Sequence, residues 1–307
     1  MLNTFHLRTF LAVVDTGSYS AAALALHMTQ PAVSQQIRAL EEQLGEIKLF
    51  RRVGKRMVPT HAGEELLTNA RDLVQLAERA EQTILALKGQ VAGRIVVGCT
   101  ANSGERLLPR LLADFHTRFP AVHLELIIAP ADSLLDALGE REITLIVLEE
   151  QQRRRGLDLV ELGSENLVLV GATGSPLLKQ AQVPPGILRE QPLILPRQGS
   201  PLRRTIEEGL RKRSVLPADL HPVLETDSAT GVLQSVRAGL GLAFVPKICL
   251  PSRSDGVGTI DLAGPPLHQD WFLIRIRERG QPRAVQELYD YMLSPVARTI
   301  LSKAGLT

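Results

Sequence analysis

Gln30, Pro31, Ser34, Gln35 and Arg38 fall on one side of a helix-period stretch, Thr29–Leu44, and each is small, rigid or able to hydrogen-bond outward. Amide, hydroxyl and guanidinium groups on one face suit base edges in a DNA major groove, and the neighbouring Ala32 lets the backbone approach closely. A second set is basic: Arg51, Arg52, Lys55 and Arg56 surround Gly54 and suit phosphate oxygens. A third set lies far downstream, in Thr100-Ala101-Asn102-Ser103-Gly104, Arg197-Gln198-Gly199-Ser200 and Asp227-Ser228-Ala229. Each of these runs falls between a predicted strand and a predicted helix, where orphan N–H groups and the helix dipole favour an anion. Plain N-capping is the other use of each run.

The first set needs a helix held from behind. Val33, Ile37, Leu40 and Leu44 supply the apolar stripe, Thr29 sits where an N-cap belongs, and Pro31 is tolerated in the first turn. Taken alone this is an ordinary amphipathic helix, but its flanks say more. Leu7, Phe10, Leu11 and Val14 predict a first helix ending near Gly17; Ser20 is expected to cap a second through Ala22, Ala23 and Leu26. A short His27–Met28–Thr29 turn follows, giving a helix-turn-helix with its presented helix last. Leu49-Phe50 closes the small core, and the basic run before Val58-Pro59-Thr60 reads as a β-hairpin wing.

From His61 to Lys88 the chain has no proline, and Leu66, Ala70, Leu73, Ala77, Ala80, Ile84 and Leu87 are spaced 4, 3, 4, 3, 4, 3. That is a heptad seam, which calls for a partner helix and hence a dimer; packing on the chain's own domain is the alternative. A two-fold dimer would also set two presented helices about 34–36 Å apart. Gly89 and Gly93 then mark a hinge. Beyond it, strands at Ile95–Gly98, Val122–Ile128 and Ile143–Leu148 alternate with helices at Leu107–Phe119 and Ser133–Leu138. A second α/β unit starts near Glu165, with strands Leu167–Val170, Leu193–Leu195, Val223–Thr226 and Leu242–Val245 around helices Arg203–Arg213 and Ala229–Ala238. Alternating strands and helices predict parallel sheets wrapped on both faces. Crossings near Leu162–Ser164 and Thr259–Pro265 give two lobes, and ligands of such sheets sit beyond the strands' carboxyl ends.

Composition agrees. The 307 residues exceed one typical domain, and 44% apolar content supports sizeable cores. Net charge is only +2, yet residues 1–60 carry +3, so a polyanion partner is expected for the head alone. Arg153-Arg154-Arg155 is isolated and reads as a solvated run. Two cysteines make no framework and fit a reducing compartment; Cys99 is read as a small hydrophobe rather than an oxidant sensor. The seven histidines show no metal-ligand spacing, so no metal or cofactor is expected. Gly239-Leu240-Gly241 follows a helix and precedes a strand, the reverse of a dinucleotide fingerprint, and no enzyme motif appears. No apolar run reaches ~18 residues and no export signal is seen, so a cytoplasmic protein without a membrane span is expected.

The run FHLRTFLAVVDTGSYSAAALALHMTQPAVSQQIRALEEQLG, followed by LFRRVGKRMVPTHAG, resembles the DNA-binding domain of LysR-type transcriptional regulators, and the remainder resembles the same family at lower density. Ile47-Lys48 and His61 depart from the family pattern, off the presented face. Within the family the chain resembles regulators of carbon-fixation and sulfur-assimilation genes. In that subgroup the second loop tends to read Gly-Ser-Gly-Thr-Arg; here it is Gly199-Ser200-Pro201-Leu202-Arg203, and Arg106 stands where an aromatic is frequent.

The resemblance implies a winged helix-turn-helix domain over 1–60, a linker and dimerisation helix over 61–90, and a periplasmic-binding-protein-like effector domain over 91–307. Lobe I would hold 91–163 and 266–307, lobe II 164–265. It implies DNA contacts from Ser20, Thr29, Gln30, Pro31, Ala32, Ser34, Gln35, Arg38, Arg51, Arg52, Lys55 and Arg56. An effector, expected to be a small anion, would meet Thr100, Ala101, Asn102, Ser103, Arg197, Gly199, Ser200, Arg203, Thr226 and Ser228. It further implies promoter DNA and RNA polymerase as partners and a homotetramer built from dimers. A DNA-binding regulator with no effector is the alternative.

Overall fold

In the N-terminal unit, Asn3 Oδ1 accepts the Phe5 amide at 2.9 Å to start α1 (Thr4–Thr16), and Gly17, at φ +65°, ends it as a left-handed cap. The structure is a computed structural model that describes residues 2–87, 90–152, 154–250, 255–277 and 281–306; Lys88 and Gly89 of the expected linker and hinge, and Arg153, lie outside them. Helices α2 (Tyr19–Ala25) and α3 (Gln30–Gln43) follow. Ser20 is not the cap of α2. Ser18 is, its Oγ accepting the Ala21 amide at 3.4 Å, because Tyr19 packs edge-on against Phe50 and is drawn into the helix. Leu7, Phe10, Val13, Val33, Ile37, Leu40, Leu49 and Phe50 form the buried core.

Strands β1 (Phe50–Val53) and β2 (Arg56–Pro59) pair antiparallel as the expected wing, and the Met57 amide donates to Gly17 O at 2.8 Å to dock it. Thr60 begins α4 (His61–Leu87): its hydroxyl donates to Lys48 O at 2.7 Å and accepts the Gly63 amide at 3.2 Å. Gly63 is needed there, since a Cβ would stand 2.3 Å from Leu49 O. The heptad seam is divided in use. Leu66 and Ala70, with Val74, pack into the head's own core, while Leu73 and Ile84 of the seam are 38% and 60% exposed, and Leu76, outside the seam, is 56% exposed. Leu87's side chain lies outside what is described.

The second unit runs β3 (Gly93–Cys99), α5 (Leu108–Arg118), β4 (Val122–Ile128), α6 (Ala131–Gly139), β5 (Leu145–Leu148), β6 (Leu157–Ala172), β7 (Pro192–Leu195), α7 (Pro201–Arg211), β8 (His221–Glu225), α8 (Ala229–Arg237), β9 (Leu242–Pro246), β10 (Val257–Ile260), β11 (Leu267–Ile276), α9 (Arg283–Met292) and α10 (Pro295–Ala304). One mixed sheet threads it, in the order β4-β3-β5-β11-β6-β9-β7-β8, with β10 on β6. Separate parallel sheets were expected. Parallel pairs do occur at β3–β5, β7–β8 and β7–β9, but the long β6 and β11 run antiparallel to each other through the middle and join both halves.

At Trp271/Phe272 the β6–β11 register slips, so that Trp271 faces Gly163, Phe272 faces Glu161, and Leu162 is bulged. The first crossing, expected at Leu162–Ser164, falls at that bulge. The second does not lie at Thr259–Pro265: Thr259 and Ile260 belong to β10, and Leu267 still pairs with Leu167, so the passage runs along β11. The cores on either side are Val96, Leu134, Leu138, Ile146 and Ile274 in one lobe and Leu169, Leu195, Ile206, Leu210 and Phe244 in the other.

Thr100–Glu105 is not a loop. The helix begins at Ala101 and passes through a π-helical turn at Ser103–Leu107 into α5. Its glycine serves packing rather than turning: a Cβ on Gly104 would stand 2.7 Å from Cys99 Sγ and 2.8 Å from Ile128. No helix among the described residues is long and apolar enough to cross a membrane.

Candidate nucleic-acid interface and ligand cleft

Helix α3 is anchored by Val33, Ile37 and Leu40, all essentially buried, and started by Thr29, whose Oγ1 accepts the Ala32 amide at 3.4 Å. Opposite them Thr29, Gln30, Pro31, Gln35 and Arg38 are exposed, with Ala32 and Ser34 half-buried between. The paired glutamines divide their work. Gln36 turns inward, accepting from the Thr9 hydroxyl and donating to Met28 Sδ at 3.8 Å, which leaves Gln35 as the outward amide. Ser20 is exposed in the first turn of α2.

A further residue, absent from the sequence reading, fixes the helix to the wing. Glu41 is 6% exposed on the back of α3; its Oε1 accepts the Leu49 amide at 3.0 Å and its Oε2 meets Lys48 Nζ at 2.6 Å. The signal was present in Lys48, which departs from the family pattern at that place. In the wing, Gly54 takes φ +61° at the turn. Arg52 Nε donates to Gly54 O at 3.1 Å, and the Arg56 guanidinium lies over Gly17. Arg51 and Lys55 project from the hairpin without ion-pair partners among the described residues.

The cleft of the second unit forms where β3, β5, β7 and β8 end. Arg204 of α7 pairs with Glu150, just beyond β5, at 2.7 Å, so the two lobes face one another there. Ser200 caps α7 by accepting the Arg203 amide at 3.2 Å, Ser228 caps α8 by accepting the Gly231 amide at 3.1 Å, and Thr226 Oγ1 accepts the Ser228 amide at 3.3 Å. Gly199, at φ +83°, makes the turn before α7. Arg197 is exposed and pairs with Asp227 at 2.7 Å, tying two of the three expected loops together. Arg203 is different from what its position suggested. It is 4% exposed, and its guanidinium is spent on Pro196 O at 3.0 Å, Glu207 at 2.6 Å and Glu225 at 3.1 Å, so it builds the lobe instead of offering charge to a ligand.

Below Thr100 lies an acidic floor. Glu149 is 8% exposed; burial pushes its carboxyl up to about 7, against the pull of the Thr100 hydroxyl, which donates to it. Thr100 Oγ1 also lies 3.2 Å from Ser103 Oγ, while Ala101 and Asn102 are half-buried beside them. Glu165, 1% exposed on β6, is likewise pushed up to about 7 by burial, opposed by the Ile248 amide at 3.4 Å and the Trp271 indole N–H at 3.0 Å, and raised further by Glu149. A carboxylate directly after the apolar run Leu145–Leu148 was the available signal, since strand ends at such clefts meet ligands. Both thiols are buried and pushed up to about 12, so Cys99 is a protonated packing group at neutral pH, as read.

The comparisons agree with this geometry. Residues 5–64 match the family described as bacterial regulatory helix-turn-helix protein, lysR family, and residues 88–295 match the LysR substrate binding domain. The RuBisCO operon transcriptional regulator of Allochromatium vinosum is 30% identical over 95% of this chain and 96% of its own length. The regulator of the same description from Acidithiobacillus ferrooxidans is 31% identical over 88% of this chain and 87% of its own. Among solved structures, full-length CbnR complexed with its target DNA is 26% identical, covers 95% of this chain and 99% of that one, and has a TM-score of 0.66. These relatives are transcriptional regulators, not enzymes. With a DNA-reading head and a ligand-binding unit both matched, the chain belongs to the LysR family of transcriptional regulators.

Proposed function

We propose that the chain reads promoter DNA as a homodimer through Gln30, Pro31, Ser34, Gln35 and Arg38, with Thr29, Ala32 and Ser20 beside the backbone. Arg51, Arg52, Lys55 and Arg56 hold adjacent phosphates. One observation carries this reading: α3 buries Val33, Ile37 and Leu40 completely while leaving an amide and a guanidinium exposed between small residues. The exposed Leu73, Leu76 and Ile84 on α4 support pairing through that helix, and two such dimers form a tetramer that engages RNA polymerase in the cytoplasm. The division is 1–60 for the head, 61–90 for the linker helix and 91–307 for the ligand unit.

A small anion binds between the lobes, against Thr100, Ala101, Asn102, Ser103, Gly199, Ser200, Thr226 and Ser228, with Arg197 at the edge. The capped starts of α7 and α8 support this choice. Binding acts by favouring one arrangement of the assembly over another, which requires unequal affinity for the two.

Selection of bound duplexes from a random library, with the full-length protein, tests the DNA reading. An interrupted inverted repeat is expected, and Ser34→Ala or Gln35→Ala should shift the preferred bases at ~1–3 kcal/mol per contact. Enrichment of no motif would overturn it.

A further inference from the structure

Beside the crossing strands, where Leu306 bridges to Glu165, lies a cavity of about 350 Å³, within the size range of small-molecule sites. Its apolar lining comes from the bulged Leu162, from Met292 at the end of α9, and from Leu301 and Leu306. Met292, Leu301 and Leu306 are themselves almost fully buried, so the floor is fixed by the core rather than by loose surface side chains. Two charges of opposite sign also line the cavity: Glu161, on β6 immediately before the bulge, and Arg298, on α10. Both are exposed, and neither is ion-paired among the described residues, to the other or elsewhere. Arg203, Arg204 and Arg275 of the same unit hold carboxylates.

An apolar floor between an unpaired carboxylate and an unpaired guanidinium is complementary to a zwitterion with an apolar tail. We propose that this cavity binds a free apolar α-amino acid, its carboxylate on Arg298, its ammonium on Glu161, and its side chain on Met292, Leu301 and Leu306. A guanidinium is suited to fork onto a carboxylate, and Ser302, one helical turn after Arg298, adds a hydroxyl on the same face. The lining shares no residue with Thr100–Ser103, Gly199, Ser200, Thr226 or Ser228, and it touches the crossing strand at its bulge.

Isothermal titration of the full-length protein with L-leucine, L-methionine and L-phenylalanine tests the assignment. At least one should bind, and its affinity should fall tenfold or more in both Arg298→Gln and Glu161→Gln, exposed positions where the fold is not at stake. 4-Methylpentanoate and 3-methylbutylamine, which each lack one charge of leucine, should bind at least tenfold more weakly than leucine. Failure of all three amino acids to bind at millimolar concentration, unchanged affinity in either variant, or an analogue that binds as well as leucine would each overturn the proposal.

Discussion

Arg38, Arg51 and Lys55 on the head and Arg197, Arg203 and Arg204 in the ligand unit are used in opposite ways. On the head, Arg38, Arg51 and Lys55 are exposed and without ion-pair partners among the described residues, over a segment whose net charge is +3. In the ligand unit, Arg197, Arg203 and Arg204 each meet a carboxylate within 3.1 Å. Charge on the head is left for a polyanion to neutralise from outside, with the release of counterions that follows. At Arg197, Arg203 and Arg204 it is neutralised internally, and these arginines act as ties. Around the proposed ligand site this leaves hydroxyls and helix-start amides, with two buried carboxyls beneath them.

The strongest way to break this comparison is to remove a tie. Arg203→Ala strands Glu207 and Glu225 and leaves Pro196 O without its donor. The two carboxylates are partly open to solvent, so the main loss is the donor to the buried Pro196 O, ~1–3 kcal/mol. The unfolding midpoint of the ligand unit should drop by several degrees, with binding of DNA by the remaining folded head unaltered in salt dependence. An Arg203→Ala protein as stable as the wild type would show that the guanidinium is dispensable and reopen its assignment to the ligand.

The acidic floor gives an effect of comparable size, and its sign is fixed. Glu149 and Glu165 titrate higher in the folded chain than unfolded, so the folded state holds extra protons between the ordinary 4.5 and about 7. Stability associated with them is complete below the ordinary value and is lost as pH rises to about 7. For one carboxyl the full loss is on the order of 3 kcal/mol. Glu149→Gln should therefore leave stability near pH 4.5 little changed and raise it above pH 7, measured by chemical denaturation across that range. An anion bound nearby repels the ionised forms, so its affinity should fall as pH rises through 7, less steeply in the variant. A wild-type stability that is flat from pH 5 to 8 would sink this account.

These contrasts also explain which parts were legible. The helices of the head are amphipathic, so Val33, Ile37 and Leu40 declare the buried side of α3 by spacing alone. The head's one misplaced cap, Ser20 for Ser18, turned on Tyr19 reaching Phe50, a contact between distant residues. The ligand unit is built from long-range pairings. Arg203 looked like a ligand contact because Glu225 is 22 residues away, and Glu165 looked like a domain boundary because Trp271 is 106 residues away. Strand β6 was read as four residues, Leu167–Val170, since Glu161–Ser164 is polar and contains glycine; pairing with β11 decides its sixteen-residue length. The π-helical turn at Ser103–Leu107 was hidden for a related reason, as Thr-Ala-Asn-Ser-Gly carries turn chemistry while Gly104 is there to fit against Cys99 and Ile128.

The smallest effect sharpens the comparison most. Lys55 sits at the tip of the wing with no ion-pair partner among the described residues, so Lys55→Ala should leave the fold intact and weaken binding to every duplex alike, by about 1 kcal/mol or less at physiological salt. The slope of log affinity against log salt should flatten by about one. Arg56 makes the internal control on the same hairpin. Its guanidinium lies over Gly17, at the end of α1, so Arg56→Ala should loosen wing docking as well as remove charge. A loss of stability is therefore expected for Arg56→Ala and none for Lys55→Ala. If Lys55→Ala left the salt slope unchanged, an exposed and unpaired cation on the head would not by itself mark a phosphate contact, and the distinction drawn between the two units would fail at its simplest point.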